Sequence, residues 1–274
     1  MSAAAELTAA AIAVLETADP AEKAALTRRS AEAWRAGSLA CVGTERPPDR
    51  PARPERPALC PPHKVPRRRI GTAPQGRIAL LHALAHIELN AIDLAWDIVA
   101  RFAAELPEDQ APAFCGDWVR VADEEATHFT LLSRRLAELG AGYGDLPAHD
   151  GLWQAALETR HDLLARLAVV PLVLEARGLD VTPAMIEKLA AVGDEESAAA
   201  LRVIYRDEIG HVEIGKRWFD RLCAERRLDP PETWRSLVAS HFRGRLKPPF
   251  NAEAREVAGF PVEAYAARAV DSAT

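Results

Sequence analysis

DEEATHF (123–129) and RDEIGHV (206–212) are the two segments that decide how this sequence folds. Each carries Glu-x-x-His, Glu125 with His128 and Glu208 with His211, and each motif is preceded by a second acid, Glu124 or Asp207. Positions i and i+3 share one helix face, so a carboxylate and an imidazole at that spacing can grip the same metal ion. The motif alone carries little weight. With 24 Glu and 8 His in 274 residues, chance supplies about 0.7 matches, and three exist, the third being Glu158/His161. Flanking residues separate them. At helical spacing Glu125 has Trp118, Val121, Ala122 and Leu132, and Glu208 has Leu201, Ile204, Tyr205 and Val212. Both carboxylates therefore fall on stripes expected to face a core. Glu158 has Gln154 and Asp162 on its face and no preceding acid, which points to a solvated or end-of-bundle position.

Two more acids share this setting. Glu88 lies among Leu84, Ala85, Ala91, Ile92 and Ala95, and Glu175 among Ala168, Pro171 and Leu172. An ionised carboxylate in an apolar stripe is costly unless a cation or hydrogen bonds compensate it. Height along the helices strengthens the case. Glu88 and Glu125 each stand about 18 residues from a turn at Leu106-Pro107, which puts them at one level in antiparallel helices rising about 1.5 Å per residue. Glu175 and Glu208 have their midpoint at Ala191-Val192, beside Gly193, a plausible helix stop. The resulting order, Glu, Glu-x-x-His, Glu, Glu-x-x-His, is the ligand set of di-iron and di-manganese carboxylate bundles.

Working outward, residues 3–36 read as two helices broken at Asp19-Pro20. Eight prolines between Pro47 and Pro66 prevent any regular helix there, so 40–73 reads as an extended strap. Four long helical stretches follow, over about 75–105, 108–139, 152–177 and 194–226. The second starts either near 108 or at Pro112, and the third has a kink at Pro171. A break at Gly178–Pro183 is expected before a short helix, with Thr182 as N-cap and Pro183 at N1. The tail holds one more helix near 232–241. The expected organisation is N-terminal helices and strap over 1–74, a four-helix bundle over 75–227 and a C-terminal extension over 228–274. The fold class is all-α.

Composition bounds the rest. Hydrophobic residues make up 49%, which marks a globular chain. The formal charge of −6 is no nucleic-acid footprint. The run Pro66-Arg67-Arg68-Arg69 is too short to change that reading. Cys41, Cys60, Cys115 and Cys223 show no regular spacing and read as reduced thiols of a cytoplasmic protein. The first residues read as an amphipathic helix rather than a signal peptide. No uninterrupted apolar stretch is long enough to span a membrane.

The segments HIELNAIDLAWD (86–97), YGDLPAHDGLW (143–153), EARGLDVTP (175–183), DEIGHV (207–212) and KPPFNAEAR (247–255) resemble the DUF455 family of ferritin-like proteins, over about 34–259. The resemblance implies an antiparallel ferritin-like bundle with a di-metal site at Glu88, Glu125, His128, Glu175, Glu208 and His211. It supplies no substrate.

A donor set dominated by hard oxygen suits two iron ions, with manganese or a mixed iron–manganese pair as the alternative. Glu125 and Glu208 are the expected bridges, and Glu88 and Glu175 the terminal ligands. Asp207 and Glu124 are expected to orient the imidazoles, Asp207 that of His128 and Glu124 that of His211. Tyr205 reads as a packed, hydrogen-bonded phenol, with a redox role as the sharper option. His82, His86, Asn90, Asp93 and Asp97 form a polar row expected to meet the strap or the tail. The functional expectation is an O2-dependent oxidase or hydroxylase of a small organic substrate. The competing readings are a ferroxidase or iron-handling protein and a metal-stabilised, non-catalytic bundle. Neither nucleic acid nor membrane is an expected partner, and a homodimer is left open.

Overall fold

Where the prolines of the strap end, Pro74 opens the longest apolar helix: at the first helical position its missing N–H costs nothing. The computed structural model describes residues 5–66 and 68–265. They form two compact units, Met1–Trp153 and Gln154–Thr274. Among the described residues nearly all regular structure is helical. The exception is a parallel pairing of two short strands, β1 (Ala5–Glu6) with β2 (Leu39–Cys41).

In the first unit, α1 (Leu7–Glu16) and α2 (Pro20–Arg35) are separated at Asp19, whose side chain accepts from Glu22 N at 2.8 Å. Helices α3 (Pro74–Phe102) and α4 (Ala111–Glu138) form a hairpin. Helix α4 begins at Ala111 with Pro112 in its first turn, the later of the two starts expected. α1 packs on α3 and α2 on α4, so the N-terminal helices share the hairpin's core. Leu81, Ile92, Trp96, Phe114, Trp118 and Leu132 are all buried there. The window of α3 that is apolar enough to cross a membrane is 83% buried inside the protein, as befits a core helix.

The strap is tied down along its length. Ala52 N donates to Leu15 O at 2.8 Å and Trp153 Nε1 to Asp49 O at 3.2 Å. Cys60 N donates to Ala148 O at 2.8 Å and Ala148 N to Ala58 O at 3.1 Å.

The second unit corrects the expected third helix. Its break comes at 159–162, between α5 (Gly151–Glu158) and α6 (Leu163–Val169), and not at Gly178–Pro183. Asp162 caps α6 by accepting from Leu164 N at 3.0 Å, and buried Arg166 reaches back to Thr159 Oγ1 and Ala156 O. After a wide turn over Val170–Glu175, α7 (Ala176–Ala191) runs straight through Pro183. Pro183 cannot donate to Leu179 O, the carbonyl one turn back. The side chain of Asn251 donates to that carbonyl instead, at 3.1 Å. α8 (Glu195–Glu225) follows the positive-φ stop at Gly193 and is capped by Asp194. Next come α9 (Pro230–His241), α10 (Ala252–Val257) and α11 (Val262–Tyr265). α7, α6 and the wide turn all pack against α8.

Candidate metal centre

Glu88 on α3 and Glu125 and His128 on α4 meet inside the first unit. Each offers one ligand atom, and these atoms lie within 4.8 Å of one another. The apolar stripes bury all three: Glu125 and His128 are fully covered and Glu88 is 3% exposed. Both carboxylates approach the same ring nitrogen, with His128 Nδ1 3.3 Å from Glu125 Oε2 and 3.5 Å from Glu88 Oε2. The level placement of Glu88 and Glu125 on either side of the 103–110 turn accounts for the meeting.

Burial, and then the Glu125 carboxylate beside it, push the Glu88 carboxyl well above the usual carboxylate range. Glu88 Oε2 is buried and takes no hydrogen bond among the described residues. Desolvated carboxylate oxygen facing a second carboxylate is what a bound cation would compensate. Two carboxylates and an imidazole with converging donor atoms fit such an ion. The cluster could hold a metal ion.

In the second unit, Glu208 and His211 sit one turn apart on α8, with His211 Nδ1 3.7 Å from Glu208 Oε2. His211 is fully buried and Glu208 nearly so. Glu175 ends the wide turn that precedes α7, and its Oε2 is buried. Beside them, Tyr205 is a hydrogen-bonded phenol whose hydroxyl accepts from Asn251 Nδ2 at 2.8 Å. Asp207 accepts from its neighbour Arg206 at 2.9 Å, and Glu124 is half-buried on α4. The third Glu-x-x-His lies apart from this chemistry. Glu158 is exposed and pairs with Arg243, while His161 is exposed in the break after α5.

The family model described as "Protein of unknown function (DUF455)" matches residues 16–266. The chain belongs to the DUF455 family. An uncharacterized protein of Haemophilus influenzae is 46% identical to it over 209 residues, covering 76% of this chain and 72% of the relative. No solved structure matches.

Two of the segments that resemble DUF455, 86–97 and 143–153, meet on the other side of α3. The polar row of α3 meets the strap, as expected, and also the 143–149 loop. Asp93 binds Arg53 of the strap and Lys23 of α2, and Asn90 Oδ1 accepts from Arg53 Nη2 at 2.6 Å. Asp97 pairs with Arg101, which also donates to Pro48 O. His82 Nε2 accepts from Gly144 N at 2.9 Å, and the Tyr143 ring stacks on both His82 and His86. Lys23 is the member of this network that the sequence did not mark: a single lysine beside Glu22 in the alanine-rich run AEKAAL (21–26) looks solvated, yet it is 1% exposed. Of the basic run after the strap, Arg67 lies outside the described residues.

His86 makes this network sensitive to pH. Its Nε2 donates to His149 O at 3.2 Å, so Nδ1 is the acceptor for the Tyr143 hydroxyl at 2.9 Å. Burial first, then the positive charge of Arg53, lower its pKa to about 4, with His82 and His149 acting in the same direction. The folded state therefore refuses a proton that the unfolded chain takes near pH 6.5. Stability from this residue is present above pH 6.5 and is lost as pH falls toward 4, by about 3 kcal/mol in all. Urea denaturation at pH 7 and pH 4.5, wild type against His86→Asn, should show a steeper acid loss in the wild type. Parallel losses would exclude His86 as the cause.

Proposed function

We propose that this protein is a non-haem di-iron carboxylate protein that uses O2 to oxidise a small organic substrate. The observation that carries the reading is the buried convergence of Glu88, Glu125 and His128, with Glu88 Oε2 taking no hydrogen bond among the described residues. Support also comes from the repetition of the pattern: Glu175, Glu208 and His211 supply the same donor types in the same order, as in carboxylate bundles that hold two iron or manganese ions.

In this reading Glu88, Glu125, Glu175 and Glu208 would supply the carboxylates that hold the two ions. His128 and His211 complete the set. Asp207 and Glu124 hold the imidazoles in orientation, Asp207 for His128 and Glu124 for His211. Two ferrous ions at such a site supply the electrons for reducing dioxygen. The chain's own contribution is to keep the donor atoms dry and fixed: the flanking Trp118, Val121, Ala122 and Leu132 are all buried. That burial keeps water from competing for the ligand positions.

Iron analysis and oxygen consumption by the reduced protein test this. The wild type should hold two irons per chain and consume O2, and Glu125→Ala should fall below one iron and consume none. Well below one iron in the wild type would refute the site. Two irons without O2 consumption would favour the metal-stabilised bundle, and a large cage-like assembly would favour iron storage.

A further inference from the structure

Gly215 stands in the middle of α8, one turn beyond His211, in ordinary helical conformation. It is not there for backbone freedom. A Cβ at Gly215 would stand 2.4 Å from Pro171 Cβ and 2.5 Å from Pro171 Cγ. The pyrrolidine ring fills the space any larger residue would need. Pro171 in turn lies inside the wide turn, where Ala176 N donates back to Pro171 O, five residues away instead of four. In a regular helix, Pro171 would remove one hydrogen bond and press against the preceding carbonyl. The wide turn accommodates it, and such turns recur at functional sites.

We infer that the Pro171–Gly215 contact positions Glu175 as a metal ligand, an inference that rests on the di-metal reading above. α8 runs back along the segment that contains Pro171, so each step forward on one is a step back on the other. With residue 171 against residue 215, residue 175 comes level with residue 211, and Glu175 is brought to the height of His211. The wide turn sets direction as well as height. One extra residue in a turn rotates whatever follows by about 100°, and Glu175 is the last residue of that turn. The lock therefore fixes both where the carboxylate stands and which way it faces. Glu175 is the ligand, and Pro171 and Gly215 are positioning residues that act through it.

The test counts metal and is independent of turnover. Wild type, Pro171→Ala, Gly215→Ala and the double variant Gly215→Ala/Pro171→Gly are titrated anaerobically with ferrous iron, with helicity followed by circular dichroism. The wild type should take up two irons per chain. Pro171→Ala opens the lock and Gly215→Ala forces it apart, so each should stay helical and bind the second iron at least tenfold more weakly. The double variant relieves the clash, since a methyl on residue 215 then meets only the Cα of residue 171, at 3.8 Å, but it lacks the pyrrolidine ring, so it should bind the second iron no more tightly than Pro171→Ala. A merely structural packing defect would lower thermal stability without separating the two iron-binding steps. If Gly215→Ala does not fold, Pro171→Ala decides alone. Two irons bound at wild-type affinity in the single variants would overturn this inference and leave the di-metal reading standing. Fewer than two irons in the wild type would remove that reading and this inference with it.

Discussion

Asp93→Ala should lower the stability of the protein by about 3–5 kcal/mol, the range for breaking a buried charge network by removing one partner. Asp93 is fully buried and holds two cations, Lys23 from α2 and Arg53 from the strap. Lys23 is itself 1% exposed, so without the carboxylate its ammonium stays in the core with only Leu15 O, at 3.4 Å, as an acceptor among the described residues. Burial already pulls the Lys23 pKa down and pushes that of Asp93 up, against the attraction between them. The network is thus costly to bury and costlier to break. Asp93→Asn keeps the shape and loses the charge, and should recover only part of the loss. Lys23→Met/Asp93→Leu should be milder than Asp93→Ala alone, because Arg53 is 20% exposed and can turn to water. Urea denaturation measures all three. Loss of Asp93 should also free the strap, with faster cleavage after Glu55 by a glutamate-specific protease. A change below about 1 kcal/mol, the size expected of an exposed pair such as Arg29–Glu22, would sink the prediction.

Punctuation made the helix ends around the carboxylate–histidine cluster legible in the sequence. Pro107, Pro112, Gly140, Gly193 and Asp194 act within a residue or two of themselves, so reading them needs no knowledge of the fold. The meeting of Glu88 with Glu125 followed from equal distances to one turn, again a local measure. Pro183 misled because its remedy is distant: the donor that frees Leu179 O from needing its usual partner comes from Asn251, about seventy residues on. The break after Glu158 was hidden for a related reason. Thr159, Arg160 and His161 are tolerable helix residues, and what ends the helix is the capping of α6 by Asp162 together with Arg166 reaching back. The wide turn left one trace, Pro171, which marks a kink; nothing in the sequence around Gly215 marks the contact it makes with that proline. Lys23 and Arg255 escaped because a charged residue reads as solvated until its buried partner is known, and both partners are far away in sequence.

Arg255→Ala should cost about 3–5 kcal/mol, again as a broken buried pair, and should loosen the end of the chain from α7. Arg255 lies in the segment KPPFNAEAR and is 3% exposed. Its Nε and Nη2 each donate to one oxygen of Asp180 at 2.8 Å, a two-pronged pairing that a planar guanidinium makes and an ammonium cannot. Nη2 also donates to Ala176 O at 3.3 Å, and the Phe250 and Phe260 rings each lie 5.3 Å from the guanidinium carbon. Asp180 additionally accepts from Asn251 N at 3.0 Å. Through Asn251 the same assembly reaches Leu179 O and the Tyr205 hydroxyl, one turn from Glu208. Arg255→Lys keeps the charge and loses the fork, so it should fall between wild type and Arg255→Ala. Arg255→Met/Asp180→Leu removes both charges and should recover much of the loss. A double-mutant cycle in urea isolates the pair. Its coupling should survive 1 M salt, since buried charges are little screened, whereas the exposed Arg243–Glu158 pair should contribute at most about 1 kcal/mol and vanish in salt. Equal stability of Arg255→Ala and Arg255→Lys would show that packing against the two phenylalanines, and not the fork on Asp180, holds this segment.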